Sequence, residues 1–275
     1  MKKVLLLFDG ANFSPHAISF AQQLHRLSPV LVTAVFAPLV SLANMWGYAL
    51  AGETGAPVRS FLEEDEDRQV HAHIRQFEHL CQEKGLPYRV HKVTNDLALP
   101  ALRRESRFAD LLILSSETFY NGMLFSDPFR FLREALHDAE CPVLIFPETS
   151  SFPAQNLVAY DGGRESVYAL KQFAYTLPGL AQQPTTVAHA SKGTGGKMPE
   201  ALLVEELANV HFKNVTFRQL DLGDQQDFRE WIEGQPDTLL VAGAFARSGL
   251  SEFFHASFCA GVVRNHRLPV FIAHH

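Results

Sequence analysis

Hydrophobic residues along the chain fall into short unbroken runs that alternate with stretches of helical spacing. Lys3–Phe8 is an apolar run ended by Asp9-Gly10, the way a buried parallel strand enters a loop. Ser14-Pro15 then opens a helix, Ser as cap and Pro in the first turn, with Ala17, Phe20, Ala21 and Leu24 on one face. Val30–Phe36 is a second strand. A long excursion, Leu39–Phe61, follows, rich in Ala, Gly and aromatics (Trp46, Tyr48). Glu63-Glu64-Asp65-Glu66-Asp67 precedes a helix to about Lys84; acidic residues suit a first turn, so this run reads as a helix start. Gly85 stops that helix. Strands at Tyr88–Val93, Leu111–Leu114 and Val143–Phe146 alternate with helices at Leu97–Arg107 and Pro128–Ala139.

Pro147–Pro153 reads as a linker, after which the pattern restarts. Asn156–Tyr160 is a strand ending at Asp161-Gly162-Gly163, and a helix runs on through Tyr175. Strands follow at Thr185–His189, Val215–Leu220, Leu239–Ala242 and Val270–Ala273. Helices lie between them at Pro199–Ala208, Gln226–Glu233 and Phe253–Asn265. Phe8-Asp9-Gly10 matches Tyr160-Asp161-Gly162 at an offset of 152 residues, and Cys141-Pro142-Val143 matches Leu268-Pro269-Val270 at 127. The difference of 25 falls where the first half alone carries its excursion. The expected fold is therefore α/β: two tandem doubly wound domains, residues 1–149 with an insertion at about 39–61 and residues 150–275. Each has a five-stranded parallel sheet with helices on both faces.

Composition changes this picture little. The 275 residues are 47% hydrophobic and 20% charged, with 22 Phe, enough for two cores. The net charge of −6 and the absence of a basic stripe argue against a nucleic-acid partner. No run approaches a membrane span, and the odd set Cys81, Cys141 and Cys259, without a CxxC pair, suits reduced, buried thiols; the cytoplasm is the expected compartment.

The second half carries Gly243-Ala-Phe-Ala246-Arg247-Ser248-Gly249-Leu-Ser251, then Ala256-Ser257, then Leu268-Pro269-Val270. This resembles the carboxy-terminal signature of universal stress protein domains, a Gly-rich loop of form G-x2-G-x9-G-[ST] before a helix and a final Pro-Val strand. Val158-Ala-Tyr-Asp161-Gly162-Gly163 resembles that family's first strand. The resemblance covers both halves and implies a Rossmann-like, adenine nucleotide alpha hydrolase-like fold. It also implies a non-enzymatic stress-response binding protein, although some members turn over ATP slowly. Its ligand would be ATP with Mg²⁺. Asp161 and Gly162 would meet the adenosine end, the amides from Gly243 through Arg247 and Ser248 to Gly249 the phosphates, and Ser257 the terminal phosphate. It further implies that Val143–Phe146 and Val270–Ala273 pair within the chain as an intramolecular pseudo-dimer, and allows a homodimer of whole chains.

The sequence departs from that pattern. Ala246 and Ala256 replace two of the three motif glycines, and a methyl group there opposes close approach of a phosphate. In the first half the aligned positions are Ser116, Phe119 and Phe129-Arg130, so the pocket beyond Asp9 is not expected to bind ATP in the family manner. The alternative is a sensor or scaffold that takes a small apolar ligand or a protein. The excursion, with Met45, Trp46 and Tyr48, would then close a pocket beside Phe119, Phe125 and Phe129. Local readings stay open beside these. Asp9 and Asp161 also suit plain strand-end turns, and Gly243–Ser251 a tight strand-to-helix turn. His71 and His73 face different ways on a helix, Lys192–Lys197 does not meet the P-loop pattern, and no nucleophile elbow is present.

Overall fold

A computed structural model describes residues 1–8, 13–37, 58–93, 98–116, 128–191, 197–222, 225–243 and 267–273, with backbone alone at 58–67, 128–131, 133 and 225. The chain divides into two compact units, Met1–His25 with Pro29–Cys141, and Arg26–Ser28 with Pro142–His275. The described residues hold ten strands and seven α-helices.

In the first unit, β1 (Lys2–Phe8) lies between β2 (Val30–Phe36) and β4 (Leu111–Ser115), and β3 (Tyr88–Lys92) pairs outside β2. All three pairings are parallel, and the Phe8↔Phe36 register sets those two rings side by side. The inner strands are buried along nearly their whole length and are accordingly unbroken apolar runs, whereas β3 is half-exposed and mixed. The helix α1 (Pro15–Leu27) starts as its sequence dictates: the Ser14 Oγ accepts from the Ala17 amide at 3.0 Å, and Ile18, Phe20, Ala21 and Leu24 are buried. The helix α2 (Val58–Glu83) begins ahead of the acidic run. Glu63–Asp67 therefore lies inside the helix, not in its first turn, because helical backbone continues into the end of the excursion. At the other end Gly85 takes φ +66°. Its amide donates to the Gln82 carbonyl and that of Leu86 to Cys81, the paired bonds of a glycine-terminated helix. The helices α3 (Ala98–Ser106) and α4 (Pro128–Asp138) complete this unit and pack on each other.

The second unit threads its strands in the same relative order. From one edge inward they run β8 (Val215–Asp221), β7 (Thr185–Ser191), β6 (Gln155–Ala159), β9 (Thr238–Gly243) and β10 (Val270–Ala273), all parallel. The strand β5 (Val143–Phe146), last in the first repeat by sequence, belongs to this second unit and pairs antiparallel with β10, Leu144 opposite Phe271. The expected pairing of these two segments is thus present. The helix α5 (Arg164–Thr176) packs on β9 and β10 through Ala169, Leu170 and Phe173; the Phe173 ring meets that of Phe271 edge-on at 5.3 Å. Each such ring or leucine taken out of water contributes about 1.5–3 kcal/mol. The helices α6 (Ala201–His211) and α7 (Gln225–Glu233) follow, and a 3₁₀ turn at Leu180–Gln182, not evident in the sequence pattern, precedes β7. The helix expected at 253–265 lies outside the described residues, as does the whole of 38–57. No described helix is long and apolar enough to cross a membrane.

Candidate functional site

A parallel sheet whose strand order reverses beside β6 opens a crevice at the carboxyl ends of its strands. Asp161 and Gly243 leave β6 and β9 at that same end, since Val158 is in register with Val241. The residues between β6 and α5 form a tight turn. The Gly163 amide donates to Asp161 Oδ1 at 2.7 Å, and the Ser166 hydroxyl donates to the Gly163 carbonyl at 2.9 Å. Gly162 takes φ +79°, and a β-carbon there would lie 2.5 Å from Pro199 Cβ. A β-carbon on Gly163 would lie 2.9 Å from Asp161 Oδ1. Gly162 is required for both its backbone conformation and room, whereas a β-carbon at Gly163 would meet only the carboxylate end of Asp161, which would have to turn and give up its bond to the Gly163 amide.

Gly243 is required for a different reason. A β-carbon added to it would come within 2.6 Å of the Glu165 carbonyl carbon and oxygen, so β9 ends directly against the first turn of α5. Here packing of strand on helix explains the glycine without any ligand.

Two residues that sequence reading passed over finish the wall of the crevice. Tyr160 is 1% exposed, and its hydroxyl donates to the Pro199 carbonyl at 3.0 Å. His189 on β7 is 9% exposed, and its Nδ1 lies 3.0 Å from the Tyr160 carbonyl oxygen. A carbonyl only accepts, so Nδ1 carries the proton and Nε2 of the neutral ring is an acceptor. Burial, and after it the carboxylates of Asp161 and Glu200, push the Tyr160 phenol above its ordinary pKa. Glu200 itself sits at φ +47° at the start of α6, and its side chain makes no capping hydrogen bond there. The groups described at this mouth are therefore mostly acceptors.

The first unit has Phe8 where the second has Tyr160, and Phe36 at the place of His189. Those rings lie 5.3 Å apart, with Phe13 at 5.1 Å from Phe8 and stacked on His73 at 5.4 Å. Comparing the halves position by position is the sequence signal that would have singled out Tyr160 and His189. Ser116 is buried, 1% exposed, just beyond β4, and the backbone of Phe129 lies in the first turn of α4. Asp9, Phe119, Ala246, Arg247, Ser248, Gly249, Ala256 and Ser257 lie outside the described residues. The structure thus brings together Asp161, Gly162 and Gly243. Among the described residues no group of three His, Cys, Asp or Glu is placed to hold a metal ion. Cys81 and Cys141 are buried, and burial pushes both thiols up to about 12.

No family model and no curated protein matches this sequence. Solved structures do. A universal stress protein from Archaeoglobus fulgidus superposes with a TM-score of 0.66 at 15% identity, covering 98% of this chain and 96% of its own. The chain has the universal stress protein fold. A functionally unknown protein from Pseudomonas aeruginosa PAO1 superposes with a TM-score of 0.53 at 14% identity, covering all of this chain and 92% of its own. In the universal stress protein fold as this chain builds it, the Asp161 turn, Gly243 and the amino terminus of α5 meet at one end of the second sheet. Asp161 Oδ2 is a carboxylate oxygen beside the turn, an acceptor suited to a hydroxyl or amine.

Proposed function

We propose that this chain is a tandem universal stress protein, two repeats at 1–149 and 150–275, that works as a non-enzymatic binding protein. Its ligand site is the degenerate adenine-nucleotide site of the second repeat. Asp161 and Gly162 hold the nucleoside end, and the loop Gly243, Ala246, Arg247, Ser248, Gly249, Ala256 and Ser257 lies toward the phosphates. The observation that carries this reading is the Asp161–Gly163 turn, preorganised by its own 2.7 Å hydrogen bond at the carboxyl end of β6. Calorimetric titration with ATP and Mg²⁺ tests it, beside Ala246→Gly/Ala256→Gly. Weak binding by the natural sequence, tightened by the two glycines, is the expected result. No heat from either protein with any adenine nucleotide or with adenosine would overturn it.

A second reading has its own support in the first repeat. The apolar pair Phe8 and Phe36 stands where the second repeat has Tyr160 and His189, and Phe13 beside it is only half-buried. That chemistry suits a sensor or scaffold for a small apolar molecule or a protein, with Asp9, Ser116, Phe119 and Phe129 around the pocket. Quenching of a bound apolar dye that Phe13→Ala abolishes, in a protein giving no heat with adenine compounds, would favour this reading.

A further inference from the structure

A helix on the surface of a folded unit is expected to be apolar toward the core and polar toward water. The helix α6 is apolar both ways. Val204 and Ala208 are buried, yet on the opposite side Leu202 is 81%, Leu203 62% and Val210 73% exposed. Tyr175, half-exposed on α5, extends this surface, its ring edge-on to that of His211 at 5.1 Å. Four of the seven large apolar residues exposed among the described residues thus gather on two neighbouring helices. Apolar surface collected in this way marks an interaction site.

The charge within this face selects what can cover it. Glu206 lies three or four positions from each of Leu202, Leu203 and Val210, so the helix sets its carboxylate among them. It is exposed and forms no ion pair among the described residues. Glu205 stands beside it in the chain, and α6 carries no Lys or Arg. A helix that lies on a membrane has the opposite pattern, basic residues beside the apolar ones, and anionic headgroups would repel this one. A second copy of the chain fits no better, because a two-fold contact centred on this face would set Glu206 against Glu206. The complement is an apolar surface with a cation at its centre.

We propose that the outer face of α6, with Tyr175 beside it, docks an amphipathic helix of another protein. That helix carries Lys or Arg among its apolar residues, which pack on Leu202, Leu203 and Val210 while the cation pairs with Glu206. The proposal does not depend on any ligand of the Asp161 crevice.

The test titrates the full chain into two labelled synthetic peptides of roughly 18 residues, long enough to hold a helix. One places Leu and Lys at helical spacing, and the other has Glu for each Lys. Fluorescence anisotropy should show binding of the Leu/Lys peptide alone. Leu203→Ser/Val210→Ser should weaken it about tenfold, the loss expected when two anchors of an interface are removed. Glu206→Lys should weaken it as much and confer binding on the Leu/Glu peptide. All three residues are exposed, so the fold is kept, and thermal melts check it. Binding of the Leu/Lys peptide that neither variant changes would place it elsewhere on an acidic protein and overturn the proposal, as would no binding at all. Binding to vesicles of anionic phospholipid, or a dimer in sedimentation velocity, lost in Leu203→Ser/Val210→Ser would name a different occupant and overturn it equally.

Discussion

Gly243 at the end of β9 and Glu165 in the first turn of α5 meet backbone to backbone, with room between them for a hydrogen but not for a methyl group. The neighbouring atoms are the carbonyl carbon and oxygen of a helix turn, which cannot rotate away. Gly243→Ala is therefore expected to destabilise the fold by about 1–3 kcal/mol through overpacking. A urea titration would show it as a lower midpoint with an unchanged slope. An unchanged midpoint would mean the contact relaxes freely, and the glycine would then have to be explained by a ligand.

Gly85 and Gly162 both take positive φ, but they differ in surroundings. A β-carbon on Gly85 would have nothing within 4 Å, while one on Gly162 would lie 2.5 Å from Pro199 Cβ. Gly85→Ala should cost about 1–2 kcal/mol, the price of a left-handed L-residue. Gly162→Ala should cost more, because the proline ring must also move. Equal losses in chemical denaturation would show that the crevice wall yields without cost.

The Tyr160–His189 pair separates two kinds of polar contact. Tyr160→Phe removes the donor to a part-buried Pro199 carbonyl and restores the residue that the first unit has at Phe8. It should cost about 1 kcal/mol. His189→Phe leaves the Tyr160 carbonyl without its imidazole donor in a buried setting, and about 1–3 kcal/mol should be lost. Paired thermal melts measure both, and a smaller loss for His189→Phe than for Tyr160→Phe would contradict this ordering.

Cys81 and Cys141 make the fold sensitive to alkali. Their folded pKa of about 12 lies above the ordinary 9.0, so the unfolded chain releases these protons first as pH rises. Their contribution to stability is intact below pH 9 and declines between about 9 and 12. Denaturation midpoints measured across that window should fall, and less steeply in Cys81→Ser. At neutral pH both thiols should resist alkylation until the protein is unfolded. Modification of either in the folded protein at the rate of a free thiol would refute the burial argument.

The strands and most helices were legible in the sequence because their signals are local. Val30–Phe36, Val143–Phe146 and Val270–Ala273 end where the apolar runs end, since an inner parallel strand is buried along its whole length. Ser14-Pro15 and Gly85 set helix ends for reasons contained in two or three residues. The Asp161–Gly162 turn was legible for the same reason. Where neighbours in space decided, the local signal misled or was silent. The acidic run 63–67 resembles a first turn, yet helical backbone already runs through it from Val58.

By itself, then, the sequence determined the alternation of strands and helices, the duplicated order, and Asp161, Gly162 and Gly243 as residues of interest. Only the tertiary structure decided that β5, whose pairing with β10 the family resemblance had implied, belongs to the second compact unit, and that Gly243 is glycine because Glu165 lies against it. It alone also shows that Tyr160 and His189 lock each other at the mouth of the site. The physical reason is one of range. Hydrophobic period and capping act over a few residues, whereas close backbone approach and the pairing of buried polar groups join residues tens of positions apart.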